Sequence, residues 1–281
     1  MNKMKRYSLI AMLLAIAVVS CNKIPVVEIP DEVPEEKLEE VVIGFDGSVP
    51  LDFGTKATIV TSMPTQLYWC ATVGSSETQV WGSTLATVSN RTTNSGKIMT
   101  GKYKAANSTK YTYYVSNRPL TIQSGDVTIT ATGGTSGTDA IAGDNYTNSL
   151  TPTVTLKHIF GLIGSLTISA SGYTISNPSW MVVGVGSGTG VSGTYSVRND
   201  QWKSVSEFCT ERAMATNMLL IPGTYKVTVT FTATKSGVSK TVTQSGELEI
   251  VQGKKHNITA SPNMLAFNWD DDWEDPGDIN L

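Results

Sequence analysis

The sequence predicts an all-β fold of sandwich type, and three observations carry that prediction. Beyond residue 40, apolar and polar residues alternate with period two, the repeat of a strand with one wet face. The 25 glycines, set among abundant serine and threonine, cut the 281-residue chain into short segments separated by turns. No stretch sustains a helical stripe over three turns. Two tandem antiparallel β-sandwich domains are expected, at residues 41–152 and 153–281.

Residues 41–45 (VVIGF) read as the first short strand and residues 57–60 as another. Gln66–Val73 (QLYWCATV) has the β-branched and aromatic content of a core strand. Residues 111–115, Asp126–Thr132, residues 153–158 and residues 166–169 alternate cleanly. Residues 224–232 place Tyr225, Val227, Val229 and Phe231 on one face, with threonines on the other. Residues 247–251 and 255–259 complete the set. Between Gly133 and Pro152 the chain is small, polar and aperiodic, and the domain boundary is placed there, close to Thr153.

The first twenty residues read as an address. Lys3, Lys5 and Arg6 precede an apolar run from Leu9 to Val19, eleven residues where a bilayer span needs about 20. Residues 1–20 are therefore a signal peptide. Val18-Val19-Ser20-Cys21 places a small residue before a cysteine at the end of that run, which resembles a bacterial lipobox and implies lipidation of Cys21. Acyl chains contribute about 0.8 kcal/mol per buried methylene, so two or three hold a protein on a membrane. Residues 21–40 carry Pro25, Pro30 and Pro34 among acidic residues and read as a solvated spacer.

Composition argues against several function classes. Lys+Arg 21 against Asp+Glu 24 leaves a net charge of -3, too weak a field for a nucleic-acid partner, which needs a basic face. Two histidines, His158 and His256, and three cysteines offer little for a zinc site or a thiol enzyme, so no metal, cofactor or catalytic residue is expected. Both histidines read as half-buried strand residues without an acid nearby in sequence. Cys70 and Cys209 fall in different expected domains and read as two separate thiols. Residues 188–193 match GxGxxG, but strand-like residues follow where a dinucleotide loop would open a helix, so the segment reads as a hairpin turn. The carboxylates of residues 270–275 lack the Gly-centred calcium-loop spacing and read as a solvated end.

The order TPTVTLKHIFGLIGSLTIS, PGTYKVTVTFTAT, SGELEIVQGKKHNIT and FNWDDDW, behind a lipobox and GTKATIV, resembles the fimbrillin (Mfa-like) family of lipoprotein pilins. That resemblance implies two domains of transthyretin-like topology, an outer-membrane location with a lipid anchor, and other pilin subunits as partners. It further implies that a protease cuts in the first domain, the first strand leaves, and a C-terminal strand of the next subunit fills the groove. On this chain the displaced strand is Val41, Val42, Ile43 and Phe45, and the cut falls between Lys56 and Ala57, with lysine where the family has arginine; Lys56 also reads as a solvated loop residue. The alternating Leu265, Phe267 and Trp269 read either as the donor or as the last strand of their own domain. The competing reading is a monomeric surface lipoprotein that binds glycans through aromatic side chains, with Trp81, Trp180 and Trp202 near loops.

Overall fold

The computed structural model describes residues 38–46, 60, 62–74, 78–105, 109–208 and 210–261, and the strand 265–270. Residues 1–37, with Cys21, and Lys56, Ala57, Cys209 and the tail past residue 270 lie outside the described residues.

The described residues form strands and no helix: β1 (Leu38–Asp46), β2 (Gln66–Val73), β3 (Thr78–Thr87), β4 (Ser95–Ala105), β5 (Tyr111–Ser116), β6 (Thr121–Gln123), β7 (Asp126–Thr132), β8 (Ile141–Thr147), β9 (Thr153–Thr155) and β10 (Lys157–His158). Then come β11 (Gly161–Ile168), β12 (Thr174–Gly184), β13 (Gly190–Ser196), β14 (Gln201–Phe208), β15 (Arg212–Ala213), β16 (Met218–Leu220), β17 (Gly223–Lys235), β18 (Val238–Ile250), β19 (Lys255–Ala260) and β20 (Leu265–Asp270). They hydrogen-bond into five sheets, ordered β4-β1-β9, β10-β8-β5-β2-β3, β14-β13-β7-β6, β16-β11-β19-β20 and β15-β12-β17-β18. Pairing is antiparallel except between β1 and β9 and between β11 and β19.

The sheet built on β5 and β2 is covered on both faces. Trp69, Ala71, Tyr113 and Val115 enter one apolar cluster with β1, Ile98, Val154 and Leu156. Their neighbours Cys70 and Tyr114 enter another with Val127, Ile129, Tyr195 and Leu219. Double coverage explains why β5 is buried almost continuously, where a half-wet strand would alternate. The third cluster is a two-sheet sandwich, with Tyr225, Val227, Val229 and Phe231 of β17 facing Ile163, Met218, Leu220 and Ile258.

Several expectations change in detail. Leu38, Glu39 and Glu40, expected in the spacer, pair with β4. Residues 153–158 are two strands in two sheets: β9 pairs with β1, and β10 pairs with β8. The sheets therefore exchange strands across residue 152, and β7 likewise pairs with β13. Within the aperiodic stretch lies β8, an interior strand. At its Gly143 a Cβ would lie 2.0 Å from the Thr155 carbonyl oxygen, so that position has no room for a side chain. The GxGxxG loop is a crossover instead of a hairpin turn, because β12 and β13 belong to different sheets.

Two buried polar anchors fix the C-terminal sandwich. Tyr225 Oη donates to the Ile221 carbonyl at 2.7 Å and accepts from the Gly190 N–H at 2.9 Å, a tyrosine corner that ties the start of β17 to the start of β13. His256 is fully buried, not half-buried as expected, and its Nε2 accepts from the Val251 N–H at 3.1 Å. Burial, with the nearby Lys254 ammonium adding to it, pushes the His256 pKa down.

Two outcomes follow from this packing. At Gly193 an added Cβ would meet the Ser204 carbonyl oxygen at 2.1 Å, so Gly193→Ala lowers unfolding free energy by about 1–3 kcal/mol in urea titrations. For His256, the unfolded chain takes its proton at a higher pH than the folded one, so stability is lost as pH falls below the ordinary histidine value. The urea midpoint of the native chain should drop from pH 7.5 to 5.0 more steeply than that of His256→Gln; equal slopes refute the assignment.

Candidate assembly site

The first strand, nine residues long, is held as an interior strand. Val41, Ile43 and Phe45 are buried, whereas Leu38 and Glu39 are exposed and Val42 is half-buried. That alternation is what residues 41–45 encode. One edge of β1 pairs with β4 from Leu38↔Ala105 to Asp46↔Ser95, with an irregularity between Glu40 and Val42. The irregularity is itself bonded: Glu40 Oε1 accepts from the Gly101 N–H at 2.8 Å, and Thr100 Oγ1 donates to the Val41 carbonyl at 2.6 Å. Along the other edge, the Val42 N–H donates to the Leu150 carbonyl at 2.9 Å and the Gly44 N–H to the Pro152 carbonyl at 2.8 Å, before β9 takes over.

Val41, Ile43 and Phe45 share an apolar cluster with Met63, Leu67, Trp69 and Leu156, and with Ile98 and Val154 beside them on β4 and β9, all essentially without exposure. Full burial of a side chain the size of Val41, Ile43 or Phe45 contributes about 1.5–3 kcal/mol, so the strand is a large apolar plug. It is the first element among the described residues.

After β1 the described chain resumes at Val60, whose N–H donates to Asp139 Oδ2 at 3.3 Å. The same oxygen lies 2.5 Å from His158 Nδ1, and both side chains are buried. His158 is thus neither half-buried nor remote from an acid. Nineteen residues separate the pair, and β10 folding back onto β8 brings them together, so no local pattern could reveal it. Asn117 Nδ2 donates to the Asp139 carbonyl at 3.0 Å while its Oδ1 accepts from the Ile141 N–H at 3.0 Å, which braces this corner. The segment that follows the expected Lys56–Ala57 cut is thereby fastened to the fold a few residues downstream of it.

The predicted donor residues fall in another sheet. Leu265, Phe267 and Trp269 lie in β20, opposite Ala260, Ile258 and His256 of β19. Among the described residues β20 pairs with β19 alone, so it is an edge strand. The residues expected as donor and as displaced strand therefore lie in separate sheets, β20 at a margin and β1 inside.

Polar chemistry elsewhere is structural or sits in one cleft. Burial pushes the Asp126 carboxyl up, but the Lys203 ammonium at 2.5 Å, the Ser196 hydroxyl at 2.7 Å and the Val127 N–H at 2.8 Å outweigh it and hold it below the usual carboxylate range. Cys70 is buried in β2. Of the loop-proximal tryptophans, Trp180 is in the C-terminal core, and Trp81 stacks edge-on with Tyr111 at 5.3 Å. Trp202 lines an open cleft of about 460 Å³. Among the described residues there is no group of three or more side chains suited to a metal ion.

No protein-family model matches the sequence, and no curated protein is similar to it. Solved structures do share the fold. A fimbrial protein from Bacteroides vulgatus superposes with a TM-score of 0.52 at 15% identity, over 83% of this chain and 99% of that one. A candidate cell adhesion protein from Bacteroides ovatus superposes with a TM-score of 0.50 at 12% identity, over 86% of this chain and 100% of that one. At such identities the likeness is one of fold: this chain has the all-β architecture of a Bacteroides fimbrial protein along most of its length.

Proposed function

We propose that the protein is a cell-surface pilin-type subunit, anchored to the outer membrane by lipid on Cys21, that assembles with other subunits by strand exchange and serves adhesion. The observation that carries this reading is the place of β1. It is a buried strand bonded on both edges, yet it is the first element among the described residues and one cut would sever it. A cut after Lys56 leaves β1 held by non-covalent contacts only. Its departure exposes a slot with two unpaired strand edges and an apolar floor, a template for another strand.

What enters the slot must repeat the pattern that left. Val41, Ile43 and Phe45 sit at positions i, i+2 and i+4, and so do Leu265, Phe267 and Trp269. A strand of that alternation can restore both hydrogen-bond ladders and refill the apolar floor. The fold shared with a fimbrial protein from Bacteroides vulgatus supports the reading. Lysine at the cut implies a protease that accepts lysine, since one confined to arginine would leave the chain and its anchor intact.

The test is made on protein sheared from cells expressing the full chain. Strand exchange predicts SDS-resistant ladders whose subunits begin at Ala57, and Lys56→Gln should abolish both the new terminus and the ladder. A monomer that retains a lipidated Cys21 in the native chain would overturn the assembly reading and leave a tethered surface protein.

A further inference from the structure

Among the described residues, none of β1 or β20 lines the open cleft beside Trp202, so the proposed strand exchange makes no use of it. Its walls come from four parts of the chain: the crossover loop at Gly188 and Thr189, the entry to β14 at Asp200 and Trp202, the entry to β17 at Pro222 and Thr224, and the turn after β18 at Gln252. Its volume, about 460 Å³, is in the range of small-ligand sites.

The polar wall is braced from behind. Asp200 Oδ1 accepts from the Tyr195 hydroxyl and from Gln252 Nε2, the latter at 2.9 Å, and Oδ2 accepts from Lys157 Nζ at 3.0 Å. Gln252 Nε2 also donates to Tyr195 Oη at 3.1 Å. Burial pushes the Asp200 carboxyl up, but these three donors outweigh it and keep it ionised. With its nitrogen committed, Gln252 has Oε1 left as an acceptor, and the carboxylate, with about four acceptor sites, retains one. Thr189 Oγ1 donates to the Gly186 carbonyl at 3.1 Å, which leaves its lone pairs to receive a hydroxyl.

The apolar wall is braced too. Trp202 Nε1 donates to the Ile159 carbonyl at 3.1 Å, and its ring packs against Phe160 at 5.0 Å and Tyr195 at 5.6 Å. Its one polar group is spent, so what the indole offers a ligand is hydrocarbon and π-surface. A fixed indole beside a fixed carboxylate, an amide oxygen and a hydroxyl suits a molecule with an apolar C–H face and hydroxyls around its rim.

We propose that this cleft, lined by Trp202, Asp200, Gln252 and Thr189, binds a neutral saccharide. The carboxylate disfavours phosphate and sulfate esters, and the GxGxxG loop that forms one wall runs into β13, so it presents no helix N-terminus to a nucleotide. The site does not depend on polymerisation and would operate in a subunit or in a monomer.

The test titrates the full-length protein, purified in a sugar-free detergent, with lactose, mannotriose, chitotriose and xylotriose, followed by tryptophan emission and calorimetry. At least one saccharide should saturate below ~20 mM. Asp200→Ala and Gln252→Leu should each weaken it by about tenfold or more, because each removes a hydroxyl acceptor. Lys235→Ala, on the β17–β18 hairpin, should bind as the native chain does. Thr189→Val changes one acceptor without touching the bracing network, and keeps the test decisive if Asp200→Ala fails to fold. Saturation by none of the four, or equal affinity in Thr189→Val and Gln252→Leu, overturns the proposal. The presence or absence of SDS-resistant ladders does not bear on this result.

Discussion

The structure depends on one constraint: the slot between β4 and β9 must be filled by a strand. Both bordering strands present backbone groups to β1, and the floor beneath is apolar from Met63 to Leu156. An empty slot would expose that floor and leave two ladders unpaired, the condition that sheet proteins avoid most consistently. The N-terminal part of the fold is thus complete only with an alternating apolar strand in place. Nothing in that requirement specifies that the strand come from the same chain.

The C-terminal sandwich meets the opposite condition. Strands β17 and β18 pair along thirteen residues each in continuous register, and Tyr225 locks the entry of β17 to the Gly190 backbone. Its core is closed by its own segments. Strand β20 stands at the margin of the other sheet of that sandwich, paired on one side. Strand β1 and the edge strand β20 are the first and last strands among the described residues.

Much of this was legible in the residues. The period-two runs located β2 and β7 to the residue, and β5, β17 and β19 to within a few positions, because each carries β-branched or aromatic residues at the core spacing. Strand β8 escaped, since IAGDNYT contains one β-branched apolar residue and its burial comes from a segment lying across Gly143. Strands β3 and β4 escaped because their exposed faces outnumber their buried ones. The Asp139–His158 contact and the Asp200–Gln252–Tyr195 network were illegible for a shared reason: their members come from separate strands and turns, and sequence periodicity reports faces, not meetings between loops. The GxGxxG match shows the converse. The motif was present, but its glycines serve a crossover between sheets and open a wall of the cleft.

Geometry also decides what kind of assembly strand exchange would build. A self-complementary patch makes a closed dimer, because each copy offers the same surface to the other. Here the acceptor slot belongs to the β4-β1-β9 sheet and the candidate donor to the margin of the β16-β11-β19-β20 sheet, so each copy would give one feature and receive the other. Such a contact is heterologous, and unless its rotation closes a ring it propagates as an open filament. The same asymmetry gives the proposed lipid anchor a consequence. On that reading, a chain that kept its N-terminal segment would keep both its plug and its membrane attachment, so it could donate a strand but could not accept one. Within such a filament, the uncut subunit would sit at an end and remain on the membrane.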